Sequence, residues 1–136
     1  MKKALIVGLN KYPGCALDWC DNDAVAMKSL IESNGDGSPN FEVVPITGSC
    51  SKDALFNAIK KLFSDDADIA LLYFSGHGAD ADGGYLCTTD FTDKNLGVKM
   101  TDILQLANNS RCKNKVIILD CCFSAQMGES ILCLLY

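Results

Sequence analysis

Apolar residues along this chain alternate between two spacings, one of strands and one of helices. Ala4–Leu9 (ALIVGL) is an unbroken apolar run behind Lys2 and Lys3, the pattern of a strand buried on both faces. A loop follows over Asn10–Cys20. From Asp21 the spacing turns helical, with Ala24, Met27, Leu30 and Ile31 on one stripe and Asp21 or Asn22 available as the cap. Asn34-Gly35-Asp36-Gly37-Ser38-Pro39 ends that helix. Phe41–Ile46 predicts a second strand at a sheet edge, because Pro45 has no N–H to give to a ladder. Ser51–Phe63 is helical again, with Leu55, Ile59, Leu62 and Phe63 at i, i+4, i+7 and i+8. Ile69–Phe74 (IALLYF) reads as a central strand and Gly83–Thr88 as a short hairpin. Thr101–Asn108 reads as a third helix and Val116–Leu119 (VIIL) as a fourth buried strand.

Strand–helix alternation of this kind predicts an α/β fold: an open sheet of mainly parallel strands, joined by right-handed crossovers, with helices on both faces. No repeat, low-complexity tract or linker interrupts the chain, so residues 1–136 read as a single domain. In such sheets chemistry collects at the carboxyl ends of strands. That directs attention to Asn10–Asp23, Ser75–Asp82 and Asp120–Ser124.

Composition narrows the classes. Of 136 residues, 49% are hydrophobic and 21% charged, enough for one packed core. Twelve Lys and Arg against 17 Asp and Glu leave a net charge of −5, which argues against nucleic acid as a partner and favours basic ligands. Eight cysteines are ~6% of the chain, below the density of a disulfide scaffold, and several sit in apolar runs as small hydrophobes. The apolar run after Met1-Lys2-Lys3 is too short for a signal peptide, and no stretch approaches the ~18 apolar residues of a membrane span. These features predict a soluble cytoplasmic protein.

Two segments carry candidate chemistry. The third strand runs into Tyr73-Phe74-Ser75-Gly76-His77-Gly78, which sets the chain's single histidine between two glycines. Those glycines allow close backbone approach and unusual φ/ψ, and leave N–H groups to point at a ligand. The fourth strand runs into Asp120-Cys121-Cys122-Phe123-Ser124, 45 residues further on. A Cys and a His on neighbouring strand ends make a nucleophile–base pair, since imidazole and oriented N–H dipoles lower a thiol pKa from about 8.5. Alternation puts Asp120 and Cys122 on one side and Cys121 toward the core. Other cysteine chemistries fail on spacing. A phosphatase loop needs Arg six positions after its Cys, where Met127 and Gly128 stand, and no Cys-x-x-Cys pair exists for a redox or zinc site.

Tyr73-Phe74-Ser75-Gly76-His77-Gly78 and Asp120-Cys121-Cys122-Phe123-Ser124-Ala125, behind the Ala4–Asn10 strand, resemble the caspase/metacaspase superfamily of cysteine peptidases. The resemblance spans nearly the whole chain, as that family's large-subunit region. It implies Cys122 as nucleophile, His77 as its partner and the N–H groups of Gly78 and Cys122 as the oxyanion hole. Cys20-Asp21-Asn22-Asp23-Ala24 is similar to the metacaspase Cys-x-Asn-Asp-Ala segment, and Asp120 stands where true caspases carry Gln. By that resemblance Asp23 and Asp120 form an acidic pocket, so that cleavage follows Arg or Lys, and two carboxylates suit either cation. The structural alternatives are that Asp23 caps its helix and Asp120 satisfies loop N–H groups.

The chain also departs from the family. The resemblance implies two further small-subunit strands after Cys122, and the 14 residues there, with Ile131–Tyr136 as one candidate strand, do not hold both. The small-subunit strands are therefore expected to be missing. A fragment, one half of a two-chain enzyme, or a relative without the small subunit each fits, with a small-subunit partner or self-association through the open sheet edge completing the sheet. Phe123-Ser124-Ala125 replaces the usual His-Ser-Gly. No cofactor is required. Calcium, frequent in metacaspases, stays uncommitted, because Asp82, Asp102 and Glu129 offer too few hard oxygen ligands. Two functional classes follow: an Arg/Lys-directed cysteine endopeptidase, or a catalytically incompetent caspase-like binding module.

Overall fold

A computed structural model of the chain describes residues 1–80 and 83–122, with Cys122 described through its backbone. Strand β1 (Lys2–Leu9) leads to helix α1 (Cys20–Ile31), strand β2 (Glu42–Gly48), helix α2 (Lys52–Leu62) and strand β3 (Ile69–Ala79). Strands β4 (Tyr85–Thr92) and β5 (Asn95–Lys99), helix α3 (Met100–Asn108) and strand β6 (Asn114–Cys122) follow.

Four strands run parallel in the order β2-β1-β3-β6, the arrangement expected of apolar runs buried on both faces. One face is covered by α1, where Ala4, Ile6, Leu71 and Tyr73 meet Ala24. The opposite face holds the larger core, in which Leu5, Leu72 and Phe74 pack on Leu55 and Ile59 of α2 and Ile103 of α3. Each buried Leu, Ile or Phe contributes about 1.5–3 kcal/mol by leaving water. Cys20, Cys50, Cys87 and Cys112 are buried with these side chains, and the six described cysteines form no disulfide among themselves. β2 lies at the outer edge with Pro45 opposite Ile6, as a residue without an N–H requires.

The structure corrects the sequence reading in four places. Strand β3 does not stop at Phe74 but continues to Ala79, so His77 lies within the strand rather than just past its carboxyl end. The hairpin is not Gly83–Thr88. β4 starts after Gly84, pairs antiparallel with the end of β3 through Gly78–Leu86 and Ala79–Tyr85, and forms the actual hairpin with β5. Helix α1 is capped at Trp19 without a side-chain hydrogen bond, while Asp21 accepts from the adjacent N–H of Asn22. Leu30 is 74% exposed. At 100° per residue it lies about 90° off the centre of the stripe that Ala24, Met27 and Ile31 share. Ile131–Tyr136 lies outside the described residues.

Gly8 decides how α1 meets the sheet. A Cβ there would overlap the Cys20 carbonyl oxygen and stand 2.7 Å from the Ala24 Cβ. Only glycine lets the first turn of α1 lie this close to β1. Gly8→Ala is expected to destabilise the fold by about 1–3 kcal/mol, read as a lower urea midpoint at unchanged m-value.

Candidate active site

Parallel pairing of β3 with β6 sets the register in which Ser75 faces Asp120, Gly76 faces Cys121 and His77 faces Cys122. The histidine and the candidate nucleophile thus occupy opposed positions on adjacent strands, where the sheet itself holds their backbones about 5 Å apart. Cys121, one residue out of phase, packs against the larger core, as its alternation requires.

The imidazole is held from two sides. His77 Nε2 lies 2.7 Å from the carbonyl oxygen of Cys15. A carbonyl only accepts, so Nε2 carries the proton and Nδ1 is left as the basic nitrogen of the neutral ring. The Tyr12 ring meets the imidazole edge-on at 4.5 Å between centroids. Its hydroxyl accepts from the His77 backbone N–H at 3.1 Å and donates to the Cys87 carbonyl at 2.9 Å. Tyr12 is almost fully buried, and that burial pushes its phenol far above the usual tyrosine range.

This clamp explains Gly76 differently from the sequence reading. Its φ is ordinary, but a Cβ would stand 2.5 Å from the Tyr12 hydroxyl oxygen and 2.9 Å from the Phe74 ring. The glycine admits the tyrosine rather than supplying an unusual backbone angle. Gly78 lies in β3 opposite Leu86.

On the α1 face, every second residue of β3 builds a polar cluster below His77. Ser75, buried, donates to Asp23 Oδ2 at 3.4 Å from the first turn of α1. Tyr73 donates to Asp120 Oδ2, also at 3.4 Å. Burial raises the Tyr73 phenol to about 12, helped by the negative charges of Asp120 and Asp23. Both carboxylates therefore bear on one tyrosine, and both are solvent-exposed. Asp23 does not cap its helix by a side-chain bond, since Trp19 is the cap.

Four of these participants were not singled out by sequence reasoning: the Cys15 carbonyl, Tyr12, Tyr73 and Ser75. A main-chain carbonyl has no sequence signature. Tyr73 and Ser75 did have one, because they share the parity of His77. Among the described residues no group of His, Cys, Asp and Glu is arranged to hold a metal ion; Asp102 lies in the first turn of α3, while Asp82 and Glu129 lie outside the described residues. Phe123-Ser124-Ala125 lies outside them as well. Among the described residues no helix is long and apolar enough to cross a membrane.

A sheet whose parallel strand ends bring a glycine-flanked histidine opposite a cysteine defines a caspase-like domain. The family model of the caspase domain matches residues 1–133, and the chain belongs to that family of cysteine peptidases. No match was found among curated proteins.

Two predictions follow from the clamp and the cluster. Tyr12→Phe strands the Cys87 carbonyl and the His77 N–H, and should lower unfolding free energy by about 1–3 kcal/mol in urea titrations. For Tyr73, the folded pKa of about 12 lies above the ordinary tyrosine value of 10.0. Its contribution is thus complete below pH ~10 and lost as pH rises toward ~12. Tyr73→Phe should flatten the fall of stability with pH over that window.

Proposed function

We propose that the protein is a cysteine endopeptidase, as a single peptidase domain or its large subunit, that hydrolyses peptide bonds after Arg or Lys. The observation that carries this reading is the opposition of positions 77 and 122 in the β3–β6 ladder, with His77 Nε2 tied to the Cys15 carbonyl. Nδ1 then takes the proton of the Cys122 thiol, and the thiolate adds to the scissile carbonyl. The N–H groups of Gly78 and Cys122 stabilise the resulting oxyanion, a contribution of about 10²–10³ in rate per donor at comparable sites. His77 returns the proton to the leaving amine. Water then hydrolyses the thioester with the same imidazole as base.

Basic specificity is supported by the position of the acid cluster. Asp120 lies two residues before Cys122 and Asp23 reaches the same neighbourhood through Ser75, so a cation from the residue before the cut meets two carboxylates. Tyr73 and Ser75 beneath them occupy one carboxylate oxygen each and leave the others to the substrate. The thiol chemistry suits a reducing compartment such as the cytoplasm. No step needs a cofactor. The partner is a protein or peptide substrate, and among the described residues β6 pairs with β3 on one flank only, which leaves the other for a small-subunit partner or self-association.

Fluorogenic peptides ending in Arg, Lys or Asp, with and without calcium, test the reading. Cleavage after Arg and Lys is expected, abolished in Cys122→Ala and lowered about 10²-fold in kcat/KM in Asp120→Asn, with Asp23→Asn acting in the same direction. Preference for the Asp peptide would overturn the acidic-pocket assignment. Silence under every condition would favour a binding module without catalysis.

A further inference from the structure

Among the described cysteines Cys15 is the exposed one, while Cys87 is buried on β4. Both stand in the wall of one cavity of about 220 Å³. Two bridges lead from one residue to the other. The Cys15 carbonyl meets His77 Nε2 at 2.7 Å, and the pairing of Gly78 with Leu86 sets Cys87 opposite His77 on the neighbouring strand. On the second route the Cys15 N–H donates to the Tyr12 carbonyl at 3.3 Å, and the Tyr12 hydroxyl donates to the Cys87 carbonyl at 2.9 Å.

We infer that Cys15 and Cys87 form a modification site, a pair of thiols that a small-molecule disulfide converts into one intramolecular disulfide. The closed bond ties the middle of the connector between β1 and α1 to β4, and so staples the segment whose carbonyl holds the imidazole. Neither Cys122 nor the acid cluster takes part, so the inference goes beyond the proposed function and does not depend on it.

The two thiols differ as stepwise exchange requires. Cys15 meets solvent, and its thiol donates to the Pro13 carbonyl at 3.7 Å, a contact weak enough to give up. Burial pushes the Cys87 thiol up to about 11, with Cys15 adding to the rise, so Cys87 stays protonated and is not the first to meet the oxidant. The Cys15 thiolate attacks one sulfur of the small disulfide, whose S–S bond breaks and releases one thiolate. Cys87 then loses its proton to solvent and attacks the Cys15 sulfur, displacing the second thiolate. Two protein thiols are oxidised, one external disulfide is reduced, and the two protons pass through water to the departing thiolates. Proximity in one cavity offsets the scarcity of the Cys87 thiolate. Backbone tethers hold Cys15 beside β4, so closure asks for a turn of its side chain away from Pro13, within the ~7 Å between Cα atoms that a disulfide spans.

The test incubates the full chain, carrying Cys122→Ala to remove the other reactive thiol, with oxidised glutathione for several hours, and then maps the tryptic peptides by mass spectrometry. Expected is a link between the peptide of residues 12–28 and that of residues 62–94, with fragment ions that join Cys15 to Cys87. The bond closes a loop between positions 72 residues apart, and should raise Tm by about 5–15 °C, a shift that dithiothreitol reverses. Cys15→Ser, at an exposed position, should fold and show neither link nor shift. Cys87→Ala should stop at the mixed disulfide of Cys15 with glutathione; if that buried variant does not fold, Cys15→Ser carries the test. A chain with Cys87 in place that stops at the mixed disulfide, a Cys15 that stays a thiol or joins another cysteine, or a Cys15–Cys87 bond that leaves Tm unmoved overturns the inference. None of these outcomes touches the cleavage assays, which stand or fall on Cys122.

Discussion

The ladder between β3 and β6 is the constraint on which the site depends. Parallel strands hydrogen-bond at evenly spaced positions, and a slip of one residue would turn Asp120 toward the larger core and Cys121 toward the α1 face. The register is pinned by its own packing: Val116 and Ile118 join the cluster under α1, while Ile117 and Leu119 join the core under α2 and α3. Hydrophobic burial on both faces thus fixes which polar residues emerge together at the strand ends. The chemistry is a by-product of a register chosen by apolar side chains.

Upon that frame the molecule adds two short supports, both descending from the carboxyl end of β1. The connection after Leu9 brings Tyr12 under His77 and the Cys15 carbonyl against its Nε2. The first turn of α1, set close to β1 by Gly8, brings Asp23 to Ser75. One support orients the imidazole; the other gathers negative charge two residues behind it. The first works through the buried Tyr12 hydroxyl and a neutral main-chain carbonyl and the second through exposed carboxylates, so they differ in what salt can do to them.

Much of this frame was legible from residue order. Strands buried on both faces leave continuous apolar runs, which is why Ala4–Leu9, Ile69–Phe74 and Val116–Leu119 stood out and why the parallel core followed. His77, Asp120 and Cys122 were visible because reactive side chains interrupt those runs at their ends. The β4–β5 hairpin was not visible. Its turn at Asp93-Lys94 carries neither glycine nor asparagine, and YLCTTDFT is buried only over its first half, so neither turn chemistry nor alternation marks it. Likewise Trp19 caps a helix without belonging to any capping class, and the Tyr12–Cys87 bond joins residues 75 apart. Local pattern reports burial well and reports long-range polar contacts hardly at all.

The stretch from Asn10 to Trp19 is tethered along its length. Asn10 and Lys11 donate to the Gly48 carbonyl, Cys15 donates to Tyr12, and Leu17 donates back to Asn10. Because the imidazole's acceptor sits in the middle of this segment and α1 begins at its end, inserting or deleting even one residue would misplace both together. Surface connections ordinarily tolerate changes in length, but the backbone tethers along this one oppose such a change. What the connector leaves open to change is the chemistry of its side chains, not its length.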